Sequence, residues 1–150
     1  MDIYRVTFIG HRRIEQSRMI EDQIEVIAKD LLKQKEYVEF YVGRNGDFDI
    51  LVASAIKRAQ KAVGDHNSSL SLVLPYHVKD ESYYGDFYDE VLLPIDGKTH
   101  FKSAITKRNE WMIDQAELLI AYVETESGGA YQALQYARKK GIFILNIAKK

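Results

Sequence analysis

Short apolar runs rich in β-branched and aromatic residues alternate along this chain with longer amphipathic stretches, and that alternation constrains the fold more than anything else in it. Ile3 to Ile9 stops at Gly10, Glu39 to Val42 at Gly43, and Leu70 to Leu74 at Pro75. Leu118 to Val123 and Ile142 to Ile147 are runs of the same kind. Each reads as a strand, because such residues fit a pleated surface and the closing glycine or proline ends it. Between the runs, Ile20, Ile24, Ile27, Ala28, Leu31 and Leu32 recur at helical spacing, as do Phe48, Leu51, Val52, Ala55 and Ala59 after Asp47. A further helix carries Lys107 to Asp114, and another runs from Ala130 to Lys140 with Gly141 as its C-terminal cap. Strand, helix, strand, helix in this order implies a parallel sheet covered on both faces. An antiparallel α+β arrangement would need hairpin turns, and the connecting segments are too long for them.

The expectation is therefore one Rossmann-like, doubly wound α/β domain over residues 1–150. At 150 residues and 46% hydrophobic content the chain can close a real core. It has no cysteine, which excludes disulfides, thiolate nucleophiles and Cys-based zinc sites. Its formal net charge of −1 argues against a protein that coats DNA. Met1 to Arg13 has no long apolar run behind a basic start, and no segment approaches the ~20 apolar residues of a membrane span. A cytoplasmic domain without a membrane partner is expected. His77 to His100 departs from the alternation and reads as a short helix followed by an extra strand or loop. Its aromatics Tyr83, Tyr84, Phe87 and Tyr88 serve either as packing over a sheet edge, as a wall over a pocket, or as a homo-oligomer contact (dimer or higher).

In an open parallel sheet the ligand crevice lies beyond the carboxyl ends of the strands. Polar or small residues collect there in four places: Gly10-His11-Arg12, Gly43-Arg44-Asn45-Gly46-Asp47 with Phe48 and Asp49, Pro75-Tyr76-His77, and Glu124 to Ala130. Gly10 admits a ligand to the backbone and Arg12 can pair with a phosphate, although a plain turn with solvated charge explains the same residues. His11 is either a base or an ordinary hydrogen-bonding group. Asp47 and Asp49 serve equally as helix caps or as ribose contacts.

The helix that carries Arg108, Asn109 and Met112 adds a cation, an amide and an apolar wall. Trp111 and Met112 are most simply core, whereas Arg108, read as lying near the helix start, calls for an anionic partner. Ser127-Gly128-Gly129-Ala130 opens a helix with free amides and a hydroxyl, which suits an anion. No nicotinamide fingerprint or phosphate loop is present. The four histidines are widely spaced and no serine sits in a nucleophile elbow, so neither a metal, a cofactor nor a catalytic residue is assigned.

Taken together, Phe8 to Arg12, Phe40 to Asp49, Arg108-Asn109-Glu110-Trp111-Met112-Ile113-Asp114, Leu118 to Ala121 and Ser127-Gly128-Gly129 resemble the SLOG superfamily, in the same order and over nearly the whole chain. The likeness is closer to its small stand-alone bacterial and phage members. This resemblance implies a Rossmann-like fold that binds nucleotides, nucleotide-derived signals or, in the DNA-processing branch, single-stranded DNA. It also extends to the cytokinin-activating phosphoribohydrolases, whose Arg-Lys-x-x-Met helix is matched by Arg108 to Met112. Their Pro-Gly-Gly-x-Gly-Thr-x-x-Glu turn is not matched: Tyr131-Gln132 replace Gly-Thr, and Gln135 stands at the acidic position. Losing one placed acid or base costs ~10²–10⁴ in rate. The chain is thus expected to bind a nucleotide or nucleotide-derived signal, ADP-ribose-like or cyclic, as a sensor or as a sponge for a phage-defence signal. The alternative is a nucleoside-monophosphate N-glycosidase in which Asp47, Asp49, Glu124 or Glu126 supplies the acid, and nucleic acid ranks behind both.

Overall fold

The computed structural model describes residues 1–148. In chain order the elements are β1 (Ile3–Gly10), α1 (Ser17–Gln34), β2 (Tyr37–Val42), α2 (Asp47–Val63), β3 (Ser68–Val73), α3 (Glu81–Phe87), β4 (Glu90–Leu92), α4 (Phe101–Gln115), β5 (Leu118–Tyr122), α5 (Gly129–Lys140) and β6 (Phe143–Asn146). The strands form one sheet in the order β4-β3-β2-β1-β5-β6, and every pairing is parallel. The doubly wound α/β architecture is thus the one that the alternation of runs implies. Among the described residues no helix is long and apolar enough to cross a membrane.

Two cores follow from the alternation of side chains along each strand. On one face, Val6, Phe8, Phe40 and Leu70 pack against α1 and α2 through Ile20, Ile24, Phe48 and Ile56. On the other, Ile9, Leu119 and Ala121 pack against α4 and α5 through Met112, Ile113, Leu134 and Ala137. Phe8, Phe40 and Phe48 are fully buried, and each contributes about 1.5–3 kcal/mol relative to exposure. α5 ends as expected at Gly141, whose φ of 76° needs a glycine and whose N–H donates to the Ala137 carbonyl.

The segment that departs from the alternation resolves into α3 and the edge strand β4, which extends the sheet beyond β3. One expectation needs correcting: α4 begins at Phe101, so Arg108 sits in its middle rather than near its start. A helix dipole acts within the first and last turns, so it has no part in what Arg108 does.

Candidate functional site

β1 lies between β2 and β5, so the chain leaves β1 to one side and returns on the other. A ligand crevice opens at such a switch point. Here Gly10 and Tyr122 end the paired strands in register, and beyond them lies a cleft of about 340 Å³. The end of β1 supplies Gly10, His11 and Arg12, the β2–α2 connection supplies Asn45 and Gly46, and the first turn of α2 supplies Asp49. The opposite wall is Arg108, Asn109 and Met112 of α4 with Ser127 to Ala130 at the start of α5.

The start of α5 is open. Gly128 stands before the helix with φ 93°, no side chain caps the N-terminus, and the first turn has no acidic residue. The first helical bond runs from the Gln132 N–H to the Gly128 carbonyl at 3.0 Å. Amides before it in the helix have no acceptor one turn back, as at every helix start. A Cβ at Gly128 or Gly129 would meet nothing within 4 Å, so a ligand has close access to this backbone. Donors aimed into a cleft at the positive end of a helix favour an anion.

α2 also begins at the cleft and, like α5, has no side-chain cap, so neither Asp47 nor Asp49 acts as a helix cap; its Asp47 amide and its two carboxylates are instead engaged by the loops beside it. The Asp47 N–H donates to the Arg12 carbonyl at 2.8 Å, and Asp47 Oδ2 accepts the Ile14 N–H at 3.2 Å. Asp49 Oδ2 accepts the Asn45 N–H at 2.8 Å. Gly46 is needed where these connections cross, because a Cβ there would lie 2.5 Å from Arg12 Cα. Asp47 therefore ties two loops together outside the cleft lining, whereas Asp49 both braces Asn45 and lines the cleft. Burial raises the carboxyl pKa of Asp49 from its ordinary value, against the pull of the Asn45 N–H and the Arg108 charge.

Arg108 is only 2% exposed. One Nη donates to the Val73 carbonyl at 2.9 Å, and Nε donates to Asn109 Oδ1 at 2.9 Å. Its guanidinium lies over Gly43, where a Cβ would come within 2.7 Å of a guanidinium nitrogen. Gly43 thus makes room for Arg108 and does not line the cleft itself. Burial lowers the Arg108 pKa from its ordinary value, and the nearby Asp49 and Tyr76 oppose that shift. Arg108 therefore works as a buried brace that also forms part of the wall. Arg12 is the exposed cation of the cleft, and it forms no ion pair among the described residues.

Other candidates fall elsewhere. His11 Nε2 accepts the Glu124 N–H at 2.8 Å, and the His11 ring stands edge-on to Tyr122 at 6.1 Å. Glu124 thus enters through its backbone, and its exposed side chain is not part of the lining. Phe48 is corrected from ligand contact to core: it is fully buried, and a Cβ on Gly10 would overlap its ring. Gln135 also lies outside the lining and accepts a hydrogen bond from Arg138. Arg44, Pro75 and Tyr76 line a second hollow of about 230 Å³, joined to the first by Asn45, which lines both. Tyr84 of α3 completes that hollow, with the Arg44 guanidinium 4.8 Å from its ring centre. Of the four aromatics that the sequence offers as a wall over a pocket, Tyr84 is the one that lines this hollow.

The chain matches no protein-family model and no curated protein. Its fold is similar to that of DNA processing protein A from Streptococcus pneumoniae, with a TM-score of 0.68 at 12% identity over 95% of this chain and 49% of the other. It is also similar to DNA processing protein A from Helicobacter pylori, with a TM-score of 0.65 at 13% identity over 94% of this chain and 63% of the other. That second structure is described by its single-stranded DNA binding mode. At these identities the likeness is one of fold, and this chain spans about half of the first of those proteins and less than two-thirds of the second.

Proposed function

We propose that this chain is a SLOG-type domain that binds a nucleotide or nucleotide-derived signal, such as ADP-ribose or a cyclic nucleotide, with its phosphate at the start of α5. The observation that carries this reading is the uncapped N-terminus of α5, which lines the same cleft as Arg12. Unengaged amides beside an arginine match a phosphate in both charge and donor geometry. At about 340 Å³ the cleft falls within the ~300–1,000 Å³ of small-molecule sites. Asn109, fixed through Oδ1 by Arg108, keeps its amide N–H groups for the ligand. Holding a ligand without turning it over suits a sensor or a sponge for a signal.

Calorimetric titration with AMP, ADP-ribose and cyclic nucleotides tests this reading. At least one is expected to bind, and Arg12→Ala is expected to weaken it about tenfold, or ~1.4 kcal/mol. The melting temperature should stay put, because Arg12 is exposed and forms no ion pair among the described residues. Absence of binding by every one of these ligands would remove the reading.

Two other readings rest on particular observations. The fold neighbour described for single-stranded DNA binding weakens the argument from net charge against nucleic acid. Local rather than net charge decides such contacts, and Arg12 and Arg44 line adjoining hollows. Salt-sensitive retention of an oligonucleotide, with no mononucleotide bound, would favour that reading. An N-glycosidase, in turn, would use Asp49, the carboxylate that lines the cleft. Release of free base from a nucleoside monophosphate, abolished in Asp49→Asn, would establish it.

A further inference from the structure

The main cleft offers donors, a cation and a carboxylate, but its one ring is the His11 imidazole, which is engaged by the Glu124 N–H. The broad aromatic surfaces lie next door. In the second hollow Tyr84 faces the Arg44 guanidinium at 4.8 Å, and Tyr76 and Pro75 form the adjoining wall. Arg44 reaches the Tyr88 hydroxyl at a long 3.4 Å and forms no ion pair with a carboxylate among the described residues. Tyr88 is itself buried and stands edge-on to Tyr84 at 6.4 Å, so the aromatic wall is anchored in the core rather than loose on the surface. Tyr76, by contrast, is 39% exposed and has a face free to be covered.

The two hollows are parts of one surface. Asn45 lines both, and Asp49 fixes its backbone at 2.8 Å. The Val73 carbonyl that accepts from the Arg108 guanidinium at 2.9 Å is followed directly by Leu74, Pro75 and Tyr76 of the second hollow, which places that hollow beside the buried brace of the first. A planar π-system can stack on the outer face of the Arg44 guanidinium, which the Tyr84 ring backs at 4.8 Å, and against the exposed Tyr76 ring, since every nucleobase has a face that stacks on aromatic and arginine surfaces. A bare sugar phosphate has nothing to place there.

We propose that the hollow formed by Arg44, Pro75, Tyr76 and Tyr84 is a base subsite, taking the nucleobase of a small ligand whose phosphate sits at the start of α5. This rests on the phosphate reading above and adds to it a function for α3: through Tyr84 the short helix backs the Arg44 guanidinium on which the base stacks. The preferred ligand is then a base-bearing phosphate, held at two points that meet at Asn45.

The test compares ribose 5-phosphate, AMP and a single-stranded oligonucleotide by calorimetry on the intact protein and on Tyr84→Leu and Tyr76→Ala. Tyr84→Leu keeps most of the packing volume, and Tyr76→Ala alters an exposed ring, so one variant covers the other if folding suffers. The wild type is expected to bind AMP at least tenfold more tightly than ribose 5-phosphate, and each variant should bring that ratio close to one. Equal affinity for the two ligands in the wild type, or a ratio untouched in both variants, would overturn the base subsite while leaving the phosphate site standing. Failure of both small ligands would instead bring down the phosphate reading and this one with it. An oligonucleotide that binds where AMP does not would overturn the proposal in favour of a strand-binding groove.

Discussion

α2 and α5 begin at the same cleft and neither is capped by a side chain, yet their first turns differ in the charge they bring and in what the Asp47 N–H of α2 already holds. α2 brings its own anions, Asp47 and Asp49, in its first turn, and hydrogen bonds from Ile14 and Asn45 hold those carboxylates in place. α5 has no acidic residue in its first turn, no capping side chain, and glycines with open space around them. One helix start holds two loops together, and the other has open space at its backbone. The two chemistries are complementary: the crowded crossing at Gly46 fixes the Arg12 backbone, and Arg12 lines the cleft together with the start of α5.

Substitutions at the two glycines should separate these roles. The largest effect is expected at Gly46→Ala, where the new Cβ would run into Arg12 Cα and the Arg12 carbonyl. Relieving such overlap by backbone movement costs about 1–3 kcal/mol, seen as a lower midpoint of denaturant unfolding. A fully stable Gly46→Ala protein would break the idea that the crossing is tight. Next comes Gly129→Asp, which gives α5 the kind of carboxylate α2 already has. Space is open there, so stability should hold or rise by about 0.3–1 kcal/mol, while AMP affinity should fall at least about tenfold, or ~1.4 kcal/mol. Undiminished binding in that variant would make the two helix starts equivalent.

The smallest effect is expected at Asp49→Asn. Burial raises the folded-state pKa of Asp49 above its ordinary 3.8, so the folded protein favours the protonated carboxyl. Its contribution to stability is complete below the unfolded value and is lost as the pH climbs through the folded one. Asn keeps an acceptor for the Asn45 N–H without the charge, so the variant should be the more stable protein at pH 7, by less than about 1 kcal/mol. That advantage should shrink as the pH is lowered towards 4. An advantage that grows on acidification would mean that the Arg108 charge, rather than burial, governs Asp49.

Much of this was legible in the chain, for definite physical reasons. Strands buried on both faces, such as Leu118–Tyr122, read as nearly continuous apolar runs. Strand ends at a switch point gather their loops whatever the side chains are, so that Gly10, Arg12, Asn45 and Gly128 share one cleft follows from the order of elements, whereas Arg108 stands out only by its charge on a helix. What stayed hidden depended on tertiary contact. Asp47 as a tie between loops needs the Ile14 N–H, which lies 33 positions away in the chain. Phe48 beneath Gly10 needs the packing of α2 on β1. The true start of α4 lay beyond reach because Phe101 and Lys102 are exposed and show no apolar period, which left Arg108 misread as terminal.

The central claim is that α5, and not α2, presents its amides to the ligand phosphate. Following the backbone amide resonances of isotope-labelled protein during a titration with AMP tests it most directly. The account predicts the largest shifts at Gly129 and Ala130, with the amides of Asp47 and Asp49 moving little. Large shifts at the start of α2 with α5 unmoved would contradict it.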